Sequence, residues 1–147
     1  MLDMLMKLPI DFEPGVKHVY SNSNYVLLGM IIEKITKKTY AEVLKEKIVD
    51  KLGLENTYCG QQADHKKNEA RSYVYNGKTW VFEGETDMSI PLGAGMLVST
   101  PTDLVRFIEG IFNYQLLRQE TVDQMIIQQE GYGMGIFTIP FYDRIGI

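Results

Sequence analysis

Hydrophobic and polar positions divide the chain into a loop, several helices and two extended stretches. Residues 11–22 carry Pro14-Gly15 and run into the polar series Tyr20-Ser21-Asn22-Ser23-Asn24, which marks a loop. Apolar residues then crowd together at Val26, Leu27, Leu28, Met30, Ile31, Ile32 and Ile35. That density predicts a helix over 23–36, apolar nearly all round and so buried on most sides. Asn22 or Ser23 is expected to cap it by accepting from a free amide of the first turn.

A second helix is predicted over 40–51. Thr39 and Glu42 stand at the spacing at which each side chain reaches the other's backbone amide, and Gly53 suits the left-handed residue that ends a helix. A third, over 101–113, has Thr100 as cap, Pro101 at its first position and Asp103 to complete the box. A short fourth is predicted over 119–127. Asn76-Gly77 between Ser72–Tyr75 and Lys78–Val81 signals a hairpin. Met134–Ile139, set off by Gly131, Gly133 and Gly135, reads as a C-terminal strand with no partner in view. The fold class is therefore α+β, mostly helical, in a single domain over 1–147.

Composition narrows the function classes. With 45% hydrophobic and 23% charged residues, the chain can bury a core and stay soluble. A net charge of -4 without a basic run argues against nucleic acid. Asp3, Lys7 and Pro9 interrupt the N-terminal apolar residues, so they match neither a signal peptide nor a membrane span. The one cysteine, Cys59, excludes an internal disulfide and leaves the compartment open.

One ordered series carries chemistry. Phe12-Glu-Pro-Gly15 is followed by Tyr20-Ser-Asn22 and by Tyr25 to Glu33. Tyr40, Lys51-Leu-Gly-Leu54 and Thr57 come next, then Gly93 to Leu104, then Tyr132-Gly-Met-Gly135. In this order and spacing the series resembles the serine β-lactamase and penicillin-binding-protein superfamily on its class C side. The resemblance covers the chain from Phe12 onward and implies the helical domain of the β-lactamase/transpeptidase-like fold. It also implies a site in which Tyr20 and Asn22 form the Tyr-x-Asn motif at the rim. There the Tyr20 hydroxyl would pass a proton between the catalytic serine and the leaving group. The Asn22 amide would hydrogen-bond the substrate's amide and the catalytic lysine. Phenols ionise near pH ~10 in water, and neighbouring ammonium groups favour the phenolate that such a role needs.

The departures are as informative. The family's nucleophile sits in a Ser-x-x-Lys motif upstream of Tyr-x-Asn. None of the residues before Tyr20 is serine, and no Ser-x-x-Lys occurs anywhere in the sequence. Neither Lys-Thr-Gly nor His-x-Gly, the family's third motif, is present. The resemblance thus implies a partial domain, inactive alone. The intact enzyme would form an acyl-serine with a β-lactam, a D-amino-acid peptide or an ester, without a cofactor, in the periplasm or cell envelope or after secretion.

Two other functions fit the residues: a binding or structural module without chemistry, and a small hydrolase with a different nucleophile. His18, His65, Cys59 and Asp64 match no zinc spacing, so a metal site is not expected. Ser21 beside His18 lacks the orienting third group of a nucleophilic site. Gly93-Ala-Gly95 is expected to allow close backbone packing. An open strand at Met134–Ile139 and bare apolar surface would favour self-association.

Overall fold

The computed structural model describes residues 2–85, 87–128, 131–137 and 139–146. They form two compact units, one over residues 21–122 and one joining the described parts of 1–20 and 123–147.

The larger unit begins with α2, Asn22–Thr36. Its N-cap is Ser21, whose side chain makes no capping hydrogen bond, and Asn22 is already helical. Neither residue expected as cap fills that position. The helix ends on Lys37 in the left-handed conformation. Burial also differs from the expectation. Val26 and Gly29 are buried, whereas Leu28, Ile31 and Ile35 are 53%, 50% and 74% exposed. The elements packed on α2 in this unit are a 3-10 turn at Leu92–Ala94 and helix α3, and they cover only one stripe of it.

Helix α3, Tyr40–Leu44, runs through a π-helical turn at Lys45–Val49 into α4, Asp50–Leu52. Thr39 and Glu42 form the full capping box. Gly53 is left-handed at φ 61° and closes the helical run. Thr39→Ala removes the oxygen that accepts from the Glu42 amide. It is expected to cost about 1 kcal/mol in a denaturant titration. Lys38 and Lys47 beside Glu46 hold its carboxyl down at about 2. This exposed group adds what stability it can above the usual carboxylate range and loses it as pH falls towards that value.

Strands β1, Tyr58–Cys59, and β4, Leu97–Val98, pair antiparallel with Tyr58 opposite Val98. Strands β2, Tyr73–Tyr75, and β3, Trp80–Phe82, form the expected hairpin. Tyr75 faces Trp80, so the connection is the four residues Asn76 to Thr79 and not Asn76-Gly77 alone. The Asn76 side chain accepts from the Lys78 and Thr79 amides and stabilises this longer turn.

Helix α5, Pro101–Phe112, starts as expected, with the Thr100 hydroxyl accepting from the Asp103 amide. Gly110 lets it approach α4, because a Cβ there would lie 2.6 Å from Leu52 Cδ2. The core gathers Leu44, Leu54, Met96, Ile111 and Val122. The fourth helix, α6, covers Gln119–Ile126.

In the smaller unit, α1 is the short helix Leu2–Leu5. The strand expected over Met134–Ile139 takes another form. Gly131 and Gly135 adopt positive φ, at 84° and 77°, and turn the chain. Tyr132 then bridges Phe137, and Gly133 donates to the Ile136 carbonyl at 2.7 Å. Thr138, inside the expected strand, lies outside the described residues. Strand β5 begins only at Ile139, runs to Phe141 and pairs antiparallel with β6, Arg144–Gly146. The C-terminal strand therefore has a partner, and the open edge that argued for self-association at Met134–Ile139 is replaced by a turn and a hairpin.

Candidate active-site rim

Asn22 is placed by whatever holds the start of α2. The main contact there is backbone on backbone. Gly93 lies so close to the helix that a Cβ on it would come 2.6 Å from the Tyr25 carbonyl oxygen. One turn on, a Cβ at Gly29 would meet Leu92 Cδ2 at 2.8 Å. Small residues on both sides thus set the Leu92–Ala94 turn against the helix, the packing role expected of Gly93. Leu92 adopts φ 42°, an unusual value for a residue with a side chain. Its carbonyl accepts from Gly95 and Met96, and the Pro91 carbonyl accepts from Ala94 at 2.8 Å.

The turn is tied in turn to the core. It leads into β4, then to Ser99, Thr100 and α5. Asp103 is 1% exposed and anchors this stretch. Its Oδ2 accepts from the Asn56 amide at 2.8 Å and from the Thr57 hydroxyl at 2.9 Å. The Thr57 hydroxyl in turn accepts from Ser99 Oγ at 2.8 Å. Asp103 Oδ1 has no hydrogen bond, and the Arg106 guanidinium lies 3.7 Å away, an ion-pair distance too long for one. Asp103 was expected to reach back to its own helix cap. It bonds instead to a segment more than forty residues away, and so links the end of α4, β1 and β4 to the start of α5.

Asn22 is exposed at the head of α2. Tyr20 belongs to the smaller unit and is 66% exposed. Two residues before it, His18 stacks on Tyr132 with ring centroids 4.3 Å apart, and Tyr132 packs in turn on Phe137 at 5.9 Å. The Lys17 ammonium stands 4.9 Å from the centre of the Phe12 ring. The segment leading to Tyr20 is therefore joined to the Tyr132–Gly135 turn, two motif segments that lie far apart in sequence. Sequence reasoning did not foresee this stacking, because nothing local to His18 signals it.

The other candidates stand elsewhere. His65 Nδ1 lies 3.2 Å from the Glu69 carbonyl and its Nε2 lies 4.0 Å from Glu85. Cys59 sits in β1, where burial pushes its thiol up. Among the described residues, no three His, Cys, Asp or Glu side chains gather as a metal site would require. No helix among them is long and apolar enough to cross a membrane.

Known proteins share this architecture. The chain is 31% identical over 147 residues to the teichoic acid D-alanine hydrolase of Staphylococcus aureus, with 96% of this chain and 37% of that protein aligned. It thus spans little more than a third of the length of that relative. A D-stereospecific amidohydrolase from Streptomyces superposes with a TM-score of 0.82 at 26% identity, over 97% of this chain and 45% of that one. The D-amino acid amidase of Ochrobactrum anthropi SV3 superposes with a TM-score of 0.78 at 27% identity, over 98% and 46%. The Tyr-x-Asn series, the helical frame behind it and these likenesses agree with a family model, Beta-lactamase, that matches residues 1–139: the chain belongs to the β-lactamase family, within the serine β-lactamase and penicillin-binding-protein superfamily.

Proposed function

We propose that this chain supplies the Tyr20–Asn22 side of the active site of a serine hydrolase acting on D-amino-acid amides, esters or peptides, with β-lactams as related acyl donors. The observation that carries the reading is the placement of the motif. Asn22 is exposed on the first turn of a helix fixed by backbone contact at Gly93, and Tyr20, two residues earlier in the sequence, is exposed within the smaller unit. A group that must meet substrate needs that exposure together with a rigid support. The relatives whose names include D-alanine, D-amino acid and D-stereospecific hydrolysis support the substrate class.

The chemistry is acyl transfer. A serine hydroxyl, supplied by a Ser-x-x-Lys segment that these residues lack, attacks the substrate carbonyl carbon. Its proton passes by way of the Tyr20 side-chain oxygen to the departing nitrogen or oxygen. Water afterwards cleaves the acyl-serine: its oxygen bonds to the acyl carbon, and its proton passes by way of the same Tyr20 oxygen to the departing serine oxygen, which restores the hydroxyl. The Asn22 side-chain N–H donates to the carbonyl of the substrate's side-chain amide, and its oxygen accepts from the lysine ammonium.

The test is stereochemical. A protein that joins this chain to a Ser-x-x-Lys segment and to a Lys-Thr-Gly or His-x-Gly segment is expected to hydrolyse D-phenylalaninamide at least about tenfold faster than the L form, read as kcat/KM. Equal rates on both, or an L preference, would remove the substrate assignment.

A further inference from the structure

Helix α2 starts without the side-chain cap that α3 and α5 carry. Thr39 and Thr100 each accept from an amide of the helix they open, whereas the Ser21 side chain makes no such bond. A first turn of that kind takes its geometry from tertiary contact. Asn22, Val26 and Gly29 recur at helical spacing and share one stripe of α2, on which Val26 and Gly29 are buried. The Leu92–Ala94 turn meets the helix at Gly29 and, through Gly93, at the Tyr25 carbonyl. In an α-helix the carbonyl of residue 25 accepts from the amide of residue 29. The turn therefore touches both ends of one helical hydrogen bond, which begins about one turn after Asn22.

The turn is itself fixed and strained. Leu92 holds φ 42°, a left-handed conformation that costs free energy to a residue with a Cβ. Such strain persists only where the surroundings impose it, and it concentrates at functional sites. Here the Ala94 amide donates to the Pro91 carbonyl at 2.8 Å, and the Gly95 and Met96 amides donate to the Leu92 carbonyl at 3.2 and 3.1 Å. Met96 is buried in the core. The Leu92 side chain lies where a Cβ on Gly29 would come within 2.8 Å of it.

We propose that Leu92 and Gly93 are positioning residues for Asn22. Their turn is the stop against which the uncapped start of α2 is set, and it fixes where the Asn22 amide is presented. The inference rests on the reading of Asn22 as a substrate-binding group and assigns Leu92 and Gly93 no contact with substrate.

A double-mutant cycle tests it, in a protein that joins this chain to a Ser-x-x-Lys segment and to a Lys-Thr-Gly or His-x-Gly segment, with D-phenylalaninamide as substrate. Gly93→Ala drives a methyl group into the Tyr25 carbonyl and is expected to raise KM about tenfold, with a smaller change in kcat. In the Asn22→Ala background the same substitution should leave KM almost unchanged, because no amide remains to be positioned. Gly29→Ala presses chiefly on the Leu92 side chain and should raise KM about threefold with the same non-additivity. It serves as the second variant if Gly93→Ala fails to fold. Effects on KM that multiply in the double variant would overturn the positioning role, since a loosened fold acts independently of Asn22. A Gly93→Ala enzyme with the parent KM would overturn it too. An Asn22→Ala enzyme with the parent KM would remove the reading of Asn22 first, and the positioning role with it.

Discussion

Tyr20→Phe, made in a protein that joins this chain to a Ser-x-x-Lys segment and to a Lys-Thr-Gly or His-x-Gly segment, is expected to lower kcat by about 10²–10⁴-fold, the range spanned by positioned proton transfer. The substitution removes one oxygen. Tyr20 is 66% exposed and lies outside the buried core, and urea unfolding of the variant separates a catalytic loss from a structural one. KM should change little, because the phenol acts on the proton in flight and does not hold the ground-state substrate. Asn22→Ala should differ in kind. It would remove the hydrogen bond proposed between Asn22 and the bound substrate, and should raise KM more than Tyr20→Phe does. A Tyr20→Phe enzyme with full kcat in stopped-flow or steady-state assays would remove Tyr20 from the chemistry.

Asp103→Ala is expected to lower stability by about 3 kcal/mol, measured by urea unfolding of the 147-residue chain. The cost comes from what stays behind. The Asn56 amide and the Thr57 hydroxyl both lose their acceptor at a site where the carboxylate is 1% exposed. The Thr57 hydroxyl can still pair with Ser99, which limits the loss. Asp103→Asn keeps a carbonyl oxygen for both donors and gives up the attraction to Arg106 at 3.7 Å. It should cost about 1 kcal/mol. An alanine variant as stable as the parent would show that Asp103 does not anchor β1, β4 and α5 to one another.

Local chemistry made much of this fold legible. Thr39, Glu42 and Gly53 act within one helical turn, so their spacing alone specifies where α3 starts and α4 stops. Pro101 after Thr100 does the same for α5. Failures occurred wherever a partner distant in sequence took over. Asp103 has the spacing of a capping box, but donors near residue 57 claim its carboxylate. The β1–β4 ladder is two residues long on each side, too short for any alternation to show. Gly131, Gly133 and Gly135 looked like the borders of a strand. In fact they turn the chain, and a Cβ at Gly133 would collide with the Met125 carbonyl. The density of apolar residues on α2 says that the helix has apolar faces, not which neighbour covers them.

The proposed site rests on a different kind of signal. Tyr20 and Asn22, taken alone, are a turn and the opening of a helix. Their meaning came from the ordered series around them and the family that series resembles. Gly93 was recognised as a packing glycine, but its partner, the Tyr25 carbonyl, is a backbone atom and leaves no trace in residue type. The joining of His18 to Tyr132 is likewise a contact between rings more than a hundred positions apart, invisible to any local pattern.

We propose that these 147 residues carry the Tyr20–Asn22 side of an acyl-transfer site, and no Ser-x-x-Lys nucleophile lies among them. The most direct measurement is hydrolysis of a chromogenic cephalosporin and of D-phenylalaninamide by the purified chain, beside its Ser21→Ala variant. Neither protein is expected to show turnover above the uncatalysed background. Turnover by the chain that Ser21→Ala abolishes would contradict it, because the nucleophile would then lie inside the Tyr-Ser-Asn motif itself.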